Sequence, residues 1–333
     1  MMNVYYIKED NAAVQDFYAH LIGKGIEYAG FPELKVISYS EIGSIDKKSI
    51  IISISHYTTF KLWIRGFNNI IYWIQGSSPD ESFMRNRSYF RKFIISCIEY
   101  IAISKSKFIF MVSQGMLNHY KRKYHKDYSP KTYIMPCYNS IINKELFMTP
   151  MKYENNIFCY VGGLSVWQCF PETVAMYKQL EDQIPNTKFM VFTGDLDKAK
   201  AILKSYNVMN YEVKYVKPEQ LVDELSYCKY GFIVRAKSPV NYVATPTKLS
   251  NYMSAGLIPI VSNTVSFFEE ILGDSNYAVV LDGNDDINKI KDMANKNISS
   301  EEVYFEYNNL FNKFYCNETH IKNIGNRLKK VLL

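Results

Sequence analysis

The sequence predicts an α/β protein made of two doubly wound, Rossmann-like domains in tandem. Three observations carry this. Short apolar runs rich in β-branched and aromatic residues alternate with helical stretches along almost the whole chain, the pattern of parallel sheets covered by helices. Several runs, such as SIIISIS at 49–55, are apolar at nearly every position, as strands buried on both faces are. The alternation is interrupted once, near the middle of 333 residues, a length that suits two domains.

In the first half, strands are expected at 4–7, 35–38, 50–55, 70–74, 108–112 and 132–135, with helices over 12–22 and 81–105. The stretch 139–156, NSIINKELFMTPMKYENN, is polar, contains Pro150 and reads as a linker. Strands are expected again at 157–161, 188–193, 211–215, 231–234, 258–261 and 278–281, separated by helices over 171–181, 198–206, 218–228 and 246–255. The tail 320–333 reads as a basic amphipathic helix. The expected organisation is a first domain over 1–150, a second over 151–317, and a C-terminal helix over 318–333 that packs back on the first domain. Doubly wound sheets bind ligands beyond the carboxyl ends of their strands, so two such domains are expected to face a shared cleft.

A net charge of +6 is too small a bias for a dedicated nucleic-acid binder and suits an enzyme with anionic substrates. The six cysteines (97, 137, 159, 169, 228 and 316) form no CxxC pair and several sit in apolar runs, which points to free thiols in a reducing compartment. The N-terminus has no apolar core like that of a signal peptide, and no stretch is long enough to span a bilayer. The expected location is the cytoplasm, at the inner face of the cell membrane if the chain touches lipid.

The most informative segment is 238–262, SPVNYVATPTKLSNYMSAGLIPIVS. Thr245 suits an N-cap, Pro246 a first helical position, and Gly256 the left-handed residue that ends a helix. Leu249, Tyr252 and Met253 form an apolar face. Lys248 in the first turn opposes the helix dipole, a conflict that a bound phosphate would resolve; otherwise it is a solvated lysine on a capped helix. Arg235 follows the strand at 231–234, where a guanidinium could grip a diphosphate. Gly162 and Gly163 follow the strand at 157–161 and would let a ligand approach the backbone. Three phosphate-compatible features at strand ends of one sheet weigh more than any one of them.

In the first half, His56 follows a buried strand and either contacts an acceptor hydroxyl or donor sugar, or simply caps the strand. Gln75 and Gly76 occupy the equivalent place one strand on and could line the same side. Arg85, Arg87, Arg91 and Lys92 precede the apolar stretch 93–103, interleaved with Phe83, Tyr89 and Phe90; this is either a helix lying on a membrane or one packed on the sheet. Asp195-Leu196-Asp197 has the text of a metal-binding D-x-D but reads as a turn or N-cap, so no metal is expected.

The segments YVGGLSVWQ (160–168), GFIVR (231–235) and VNYVATPTKLSNYMSAGLIPI (240–260) resemble the donor-binding domain of bacterial GT-B glycosyltransferases that build capsule and lipopolysaccharide chains. IIYWIQGSSPDES (70–82) and FIFMVSQGMLNHYKRKY (108–124) resemble the same group more loosely. The resemblance implies a nucleotide-diphosphate sugar held by the second domain and a glycan acceptor, lipid-linked in this group, held by the first. Arg235 and Lys248 would contact the diphosphate; with His56, whose candidacy comes from its place at a strand end, they make up the expected catalytic set. Gly162, Gly163 and Thr247 would line the donor site, and Asn251 would meet the ribose or sugar. Transfer with retention is implied too; with Lys248, Arg235 and a helix N-terminus to neutralise the leaving diphosphate, no metal or other cofactor is expected. The chain departs from the group at Asn251 and Val243, where many members carry glutamates. That keeps a second reading open, a scaffold that binds nucleotide sugar, or a membrane, without turnover. A nicotinamide enzyme is excluded by the lack of G-x-G-x-x-G with an acidic residue about 20 positions on.

Overall fold

The computed structural model describes residues 2–9 and 13–332. The chain divides into two compact units. One comprises the first 136 residues, Tyr242–Thr245 and the stretch from Tyr315 onward; the other comprises Cys137–Asn241 and Pro246–Phe314. Residues 137–150 therefore lie with the second unit.

The first unit is built on six parallel strands: β1 (Val4–Ile7), β2 (Leu34–Ile37), β3 (Ile50–Ser53), β4 (Ile70–Ile74), β5 (Phe108–Met111) and β6 (Thr132–Ile134), in the order β2-β1-β3-β4-β5-β6. All residues of β3, β4 and β5 are buried, which is why these strands are near-uniformly apolar. The strand order reverses between β1 and β3, and His56 lies just beyond the end of β3. The helices are α1 (Ala13–Tyr28), α2 (His56–Ile64), α3 (Ser78–Asn86), α4 (Tyr89–Lys105) and α5 (Gln114–Tyr124). Ala12, expected to start the first helix, lies outside the described residues.

The single helix expected over 81–105 is two. Arg87 adopts a left-handed conformation with φ 52°, ending α3, and the Ser88 hydroxyl caps α4 by accepting from Arg91 N. The C-terminal helix Asn317–Leu332 packs on α1 so closely that a β-carbon at Gly25 would collide with Ile324, and one at Gly325 with Tyr28. It is tied further by a Tyr133 hydroxyl–His320 Nδ1 contact of 2.7 Å and by Arg327 donating to the carbonyls of Ser129 and Thr132.

The second unit repeats the plan with β7 (Ile157–Val161), β8 (Lys188–Phe192), β9 (Tyr211–Lys214), β10 (Tyr230–Ile233), β11 (Ile258–Ser262) and β12 (Val279–Leu281), all parallel, in the order β12-β11-β10-β7-β8-β9. Counted from β7, this is the 3-2-1-4-5-6 Rossmann order, with its reversal between β7 and β10. The expected linker 139–156 is not free. It contains a 3-10 turn, Lys144–Met148, whose Phe147 is buried against Tyr304 and Tyr307. Lys152 is buried too, donating to the carbonyls of Ser226 and Ala255. The helix expected over 218–228 is a 3-10 turn followed by the short helix Leu221–Leu225.

Candidate functional site

The reversal point of the second sheet gathers four of the residues singled out in the sequence, Gly162, Gly163, Arg235 and Lys248. β7 ends at Val161 and runs into Gly162 and Gly163; β10 ends at Ile233, two residues before Arg235. Arg235 is pinned at its backbone, its N–H donating to Ser262 Oγ (2.8 Å) and its carbonyl accepting from Thr264 Oγ1 (3.0 Å) at the end of β11. Its side chain donates through Nη1 to the Trp167 carbonyl at 2.6 Å. Lys248 lies with its ammonium 4.1 Å from the centre of the Tyr160 ring and donates to Gln168 Oε1 at 2.7 Å.

Both cations are buried, at 7% and 8% exposure, and among the described residues neither makes an ion pair with a carboxylate. Burial lowers the pKa of Arg235, which as a guanidinium stays charged. Burial, and then the charge of Arg235, hold Lys248 well below the ordinary lysine range. Two neighbouring buried cations without a counter-charge are costly in an empty site and favourable in one that receives an anion.

Gly162 sits at φ 117°, a conformation for glycine, and a β-carbon there would come within 3.0 Å of Lys248 Cε. Gly163 has open space where a β-carbon would go, and its carbonyl accepts from the Tyr160 hydroxyl at 2.7 Å. The two glycines serve different ends. Gly162→Ala is expected to lose about 1–3 kcal/mol of stability through strain. Gly163→Ala, with nothing within 4 Å to meet, is expected to leave stability unchanged. Denaturant melts check both.

Asp195 precedes the helix Leu196–Ser205 and accepts from Leu164 N at 3.3 Å, so it braces the glycine turn. The helix carrying Lys248 starts later than expected. It runs Lys248–Ser254 with Thr247 as the N-cap, because Leu249 N bonds Pro246 O in a preceding turn and Thr245 belongs to the first unit. Asn251 is buried, and its Oδ1 accepts from Ser140 Oγ at 2.5 Å. Val243 is buried, and its carbonyl accepts from Ser113 Oγ at 2.8 Å. The contacts of the turn Val166–Gln168 with both cations could not be read from sequence, since they depend on how that turn folds back.

In the first unit, α2 begins directly at His56, with Ser55 Oγ accepting from Thr58 N. His56 is buried and its Nε2 has no partner among the described residues. Burial, and then the Lys123 charge, push its pKa down to about 4. His56 is therefore neutral near pH 7 and can offer a lone pair or one N–H to a hydroxyl. Because the folded protein resists protonation that the unfolded chain accepts, stability is expected to fall as pH drops from 6.5 to 4. His56→Gln should flatten that slope. An NMR titration showing His56 protonating near 6.5 would contradict the assignment.

Gln75 is exposed beyond β4, and a β-carbon at Gly76 would collide with the Glu81 carboxylate. Beneath them the Tyr120 hydroxyl lies 2.9 Å from Glu99 Oε1 and 3.3 Å from the Gly76 carbonyl oxygen. Glu99 also accepts from Lys123 Nζ (2.8 Å) and the Tyr124 hydroxyl (2.7 Å). Of the basic cluster, Arg85, Arg87 and Arg91 are exposed, whereas Lys92 turns in to the buried Asp80 at 2.7 Å.

No protein-family model matches the sequence, and no curated protein matches it. Among solved structures, sucrose-phosphate synthase from Thermosynechococcus elongatus aligns over 100% of this chain and 99% of its own, with a TM-score of 0.73 at 13% identity. TarM from S. aureus, in a complex containing UDP, aligns over 86% of this chain and 58% of its own (TM-score 0.66, 12% identity). A UDP-forming α,α-trehalose-phosphate synthase from Burkholderia vietnamiensis aligns over 98% and 79% (TM-score 0.63, 9% identity). These neighbours are GT-B glycosyltransferases, and the fold of this chain is GT-B.

Proposed function

We propose that the protein is a glycosyltransferase that moves a hexosyl unit from a nucleotide-diphosphate sugar to a glycan acceptor. The observation that carries this is the pair of buried cations, Arg235 and Lys248, with no carboxylate partner among the described residues, at the β7/β10 reversal beside Gly162 and Gly163. A diphosphate supplies the missing negative charge, and the same cations stabilise the charge that develops on it as the glycosidic bond to the leaving group breaks. Thr247 and Asn251 complete the donor side. His56, Gln75 and Gly76 serve the acceptor in the first unit. With two cations neutralising the leaving group, transfer proceeds without a metal. Retention of configuration and a lipid-linked acceptor for surface polysaccharide, met at the inner face of the cell membrane, follow from the resemblance of 231–235 and 240–260.

Thermal stabilisation by a panel of nucleoside diphosphates and nucleotide sugars tests the reading. A ligand at ~100 times its Kd adds about 2.7 kcal/mol. One nucleotide should stand out; stabilisation by none of them would overturn the donor site.

A second reading, nucleotide-sugar binding with weak turnover, is favoured by two details. Val243 is an inert buried side chain, and the Asn251 carbonyl oxygen is already engaged by Ser140. Transfer or donor hydrolysis at ordinary enzyme rates would exclude it.

A further inference from the structure

A helix packed on a soluble domain normally buries its apolar face and turns polar residues outward. Helix α4 does not. Ile95, Glu99, Ala102 and Ile103 face inward, and the opposite side carries Tyr89, Phe90, Phe93, Ile94 and Tyr100. Tyr89 and Phe90 are 76% exposed and Phe93 67%. Between Lys92 and Lys105 the only charged residue is Glu99, and it is the one turned inward to Tyr120, Tyr124 and Lys123. At the N-terminal end of this apolar stripe stand the exposed Arg85, Arg87 and Arg91. Arg85 lies in the last turn of α3, 3.9 Å from Glu81; Arg87 is the left-handed residue that ends α3, and Arg91 lies in the first turn of α4, so the three follow one another across the α3–α4 junction. No helix among the described residues is long and apolar enough to cross a bilayer.

We propose that the outward face of α4 docks on an anionic lipid bilayer, with Tyr89, Phe90 and Phe93 entering the interface and Arg85, Arg87 and Arg91 meeting phosphate headgroups. Charge complementarity selects this occupant. A protein partner or second copy would match the aromatics but gives no role to three arginines at one end of the stripe, whereas aromatic side chains beside guanidinium groups fit the headgroup boundary of an anionic membrane. Lys92 is not part of this face, because Asp80 holds it. The inference deepens the reading of a membrane-borne acceptor and rests on that reading, but not on the donor site.

Co-sedimentation with vesicles tests it, using phosphatidylcholine alone and phosphatidylcholine with phosphatidylglycerol. The protein should sediment with the anionic vesicles and less as salt rises. Phe90→Ser with Phe93→Ser should weaken partitioning about tenfold per residue. Arg85→Glu with Arg91→Glu should abolish the preference for phosphatidylglycerol, at about fivefold per charge removed. Both double variants should keep the wild-type melting temperature and nucleotide response, since these side chains lie on the surface of the first unit. Absence of vesicle binding by the wild type, or binding that both variants retain, overturns the proposal. So does a dimer that the phenylalanine variants dissociate, which would assign the face to a second copy. If vesicle binding fails while a nucleoside diphosphate still stabilises the protein, the membrane surface falls and the donor-site reading stands.

Discussion

Arg235→Ala and Lys248→Met should each remove half or more of the thermal stabilisation by the favoured nucleotide and lower turnover about 100- to 1,000-fold, while the unliganded proteins melt no lower than the wild type. The second half of this expectation separates a ligand site from a structural one. A buried cation that holds a fold together has a carboxylate against it, and removing it costs several kcal/mol. Arg235 and Lys248 have only the Trp167 carbonyl and the Gln168 side chain, with no counter-charge among the described residues, so truncating either relieves a buried charge or its desolvation. Charge-assisted bonds lost from a diphosphate correspond to about tenfold to 100-fold in Kd. The depressed pKa of Lys248 adds a sign. A diphosphate beside it raises that pKa again, so over the pH range in which free Lys248 loses its proton, binding takes up a proton and affinity falls as pH rises. Calorimetry in buffers of different ionisation enthalpy reads the proton count. Uptake that persists in Lys248→Met would move the effect to another group, and a large drop in melting temperature for both variants would make the cations structural.

The strands were legible because a parallel sheet covered on both faces leaves little freedom. Each strand expected from the sequence forms, with boundaries shifted by two residues at most, since runs such as 50–53 and 70–74 are buried throughout. Helix ends were less legible. Arginine seldom adopts a left-handed conformation, so nothing at Arg87 announced the break between α3 and α4, although Ser88 is a readable N-cap. The late start of the Lys248 helix has a similar origin, because Thr245 and Pro246 have the right chemistry for a start that tertiary packing overrides. Arg235, Lys248 and the two glycines were readable as residues at strand ends. What the sequence could not show is that Trp167 and Gln168 fold back over both cations, or that Ser140 reaches Asn251. Those contacts join residues 68 to 111 positions apart and depend on turn geometry. Glu99 was the least legible, a single acid in an apolar run whose partners lie on another helix.

That acid carries the largest expected effect on stability. Glu99→Ala should cost about 3–5 kcal/mol, the range for removing one partner of a buried ion pair. Glu99 is 1% exposed and accepts from Lys123 and from two tyrosine hydroxyls, so alanine leaves a part-buried ammonium and two phenols facing a cavity. Burial already raises its pKa, so the carboxylate is retained against a desolvation cost, and the geometry shows what it does there. Tyr120, oriented by Glu99, reaches the Gly76 carbonyl at the end of β4, and the same acid fixes Lys123, whose charge helps keep His56 neutral. Loss of Glu99 should therefore loosen the Gln75–Gly76 corner and free Lys123 to move. Glu99→Gln keeps an acceptor for the tyrosines and should be milder. Chemical denaturation measures the first effect, and a loss under about 1 kcal/mol for Glu99→Ala would show the cluster to be incidental. At temperatures where the variant stays folded, its nucleotide response should be unchanged while the KM for the acceptor rises. The reverse pattern, weaker nucleotide binding with an unaltered acceptor KM, would remove the Gly76 corner from the acceptor side.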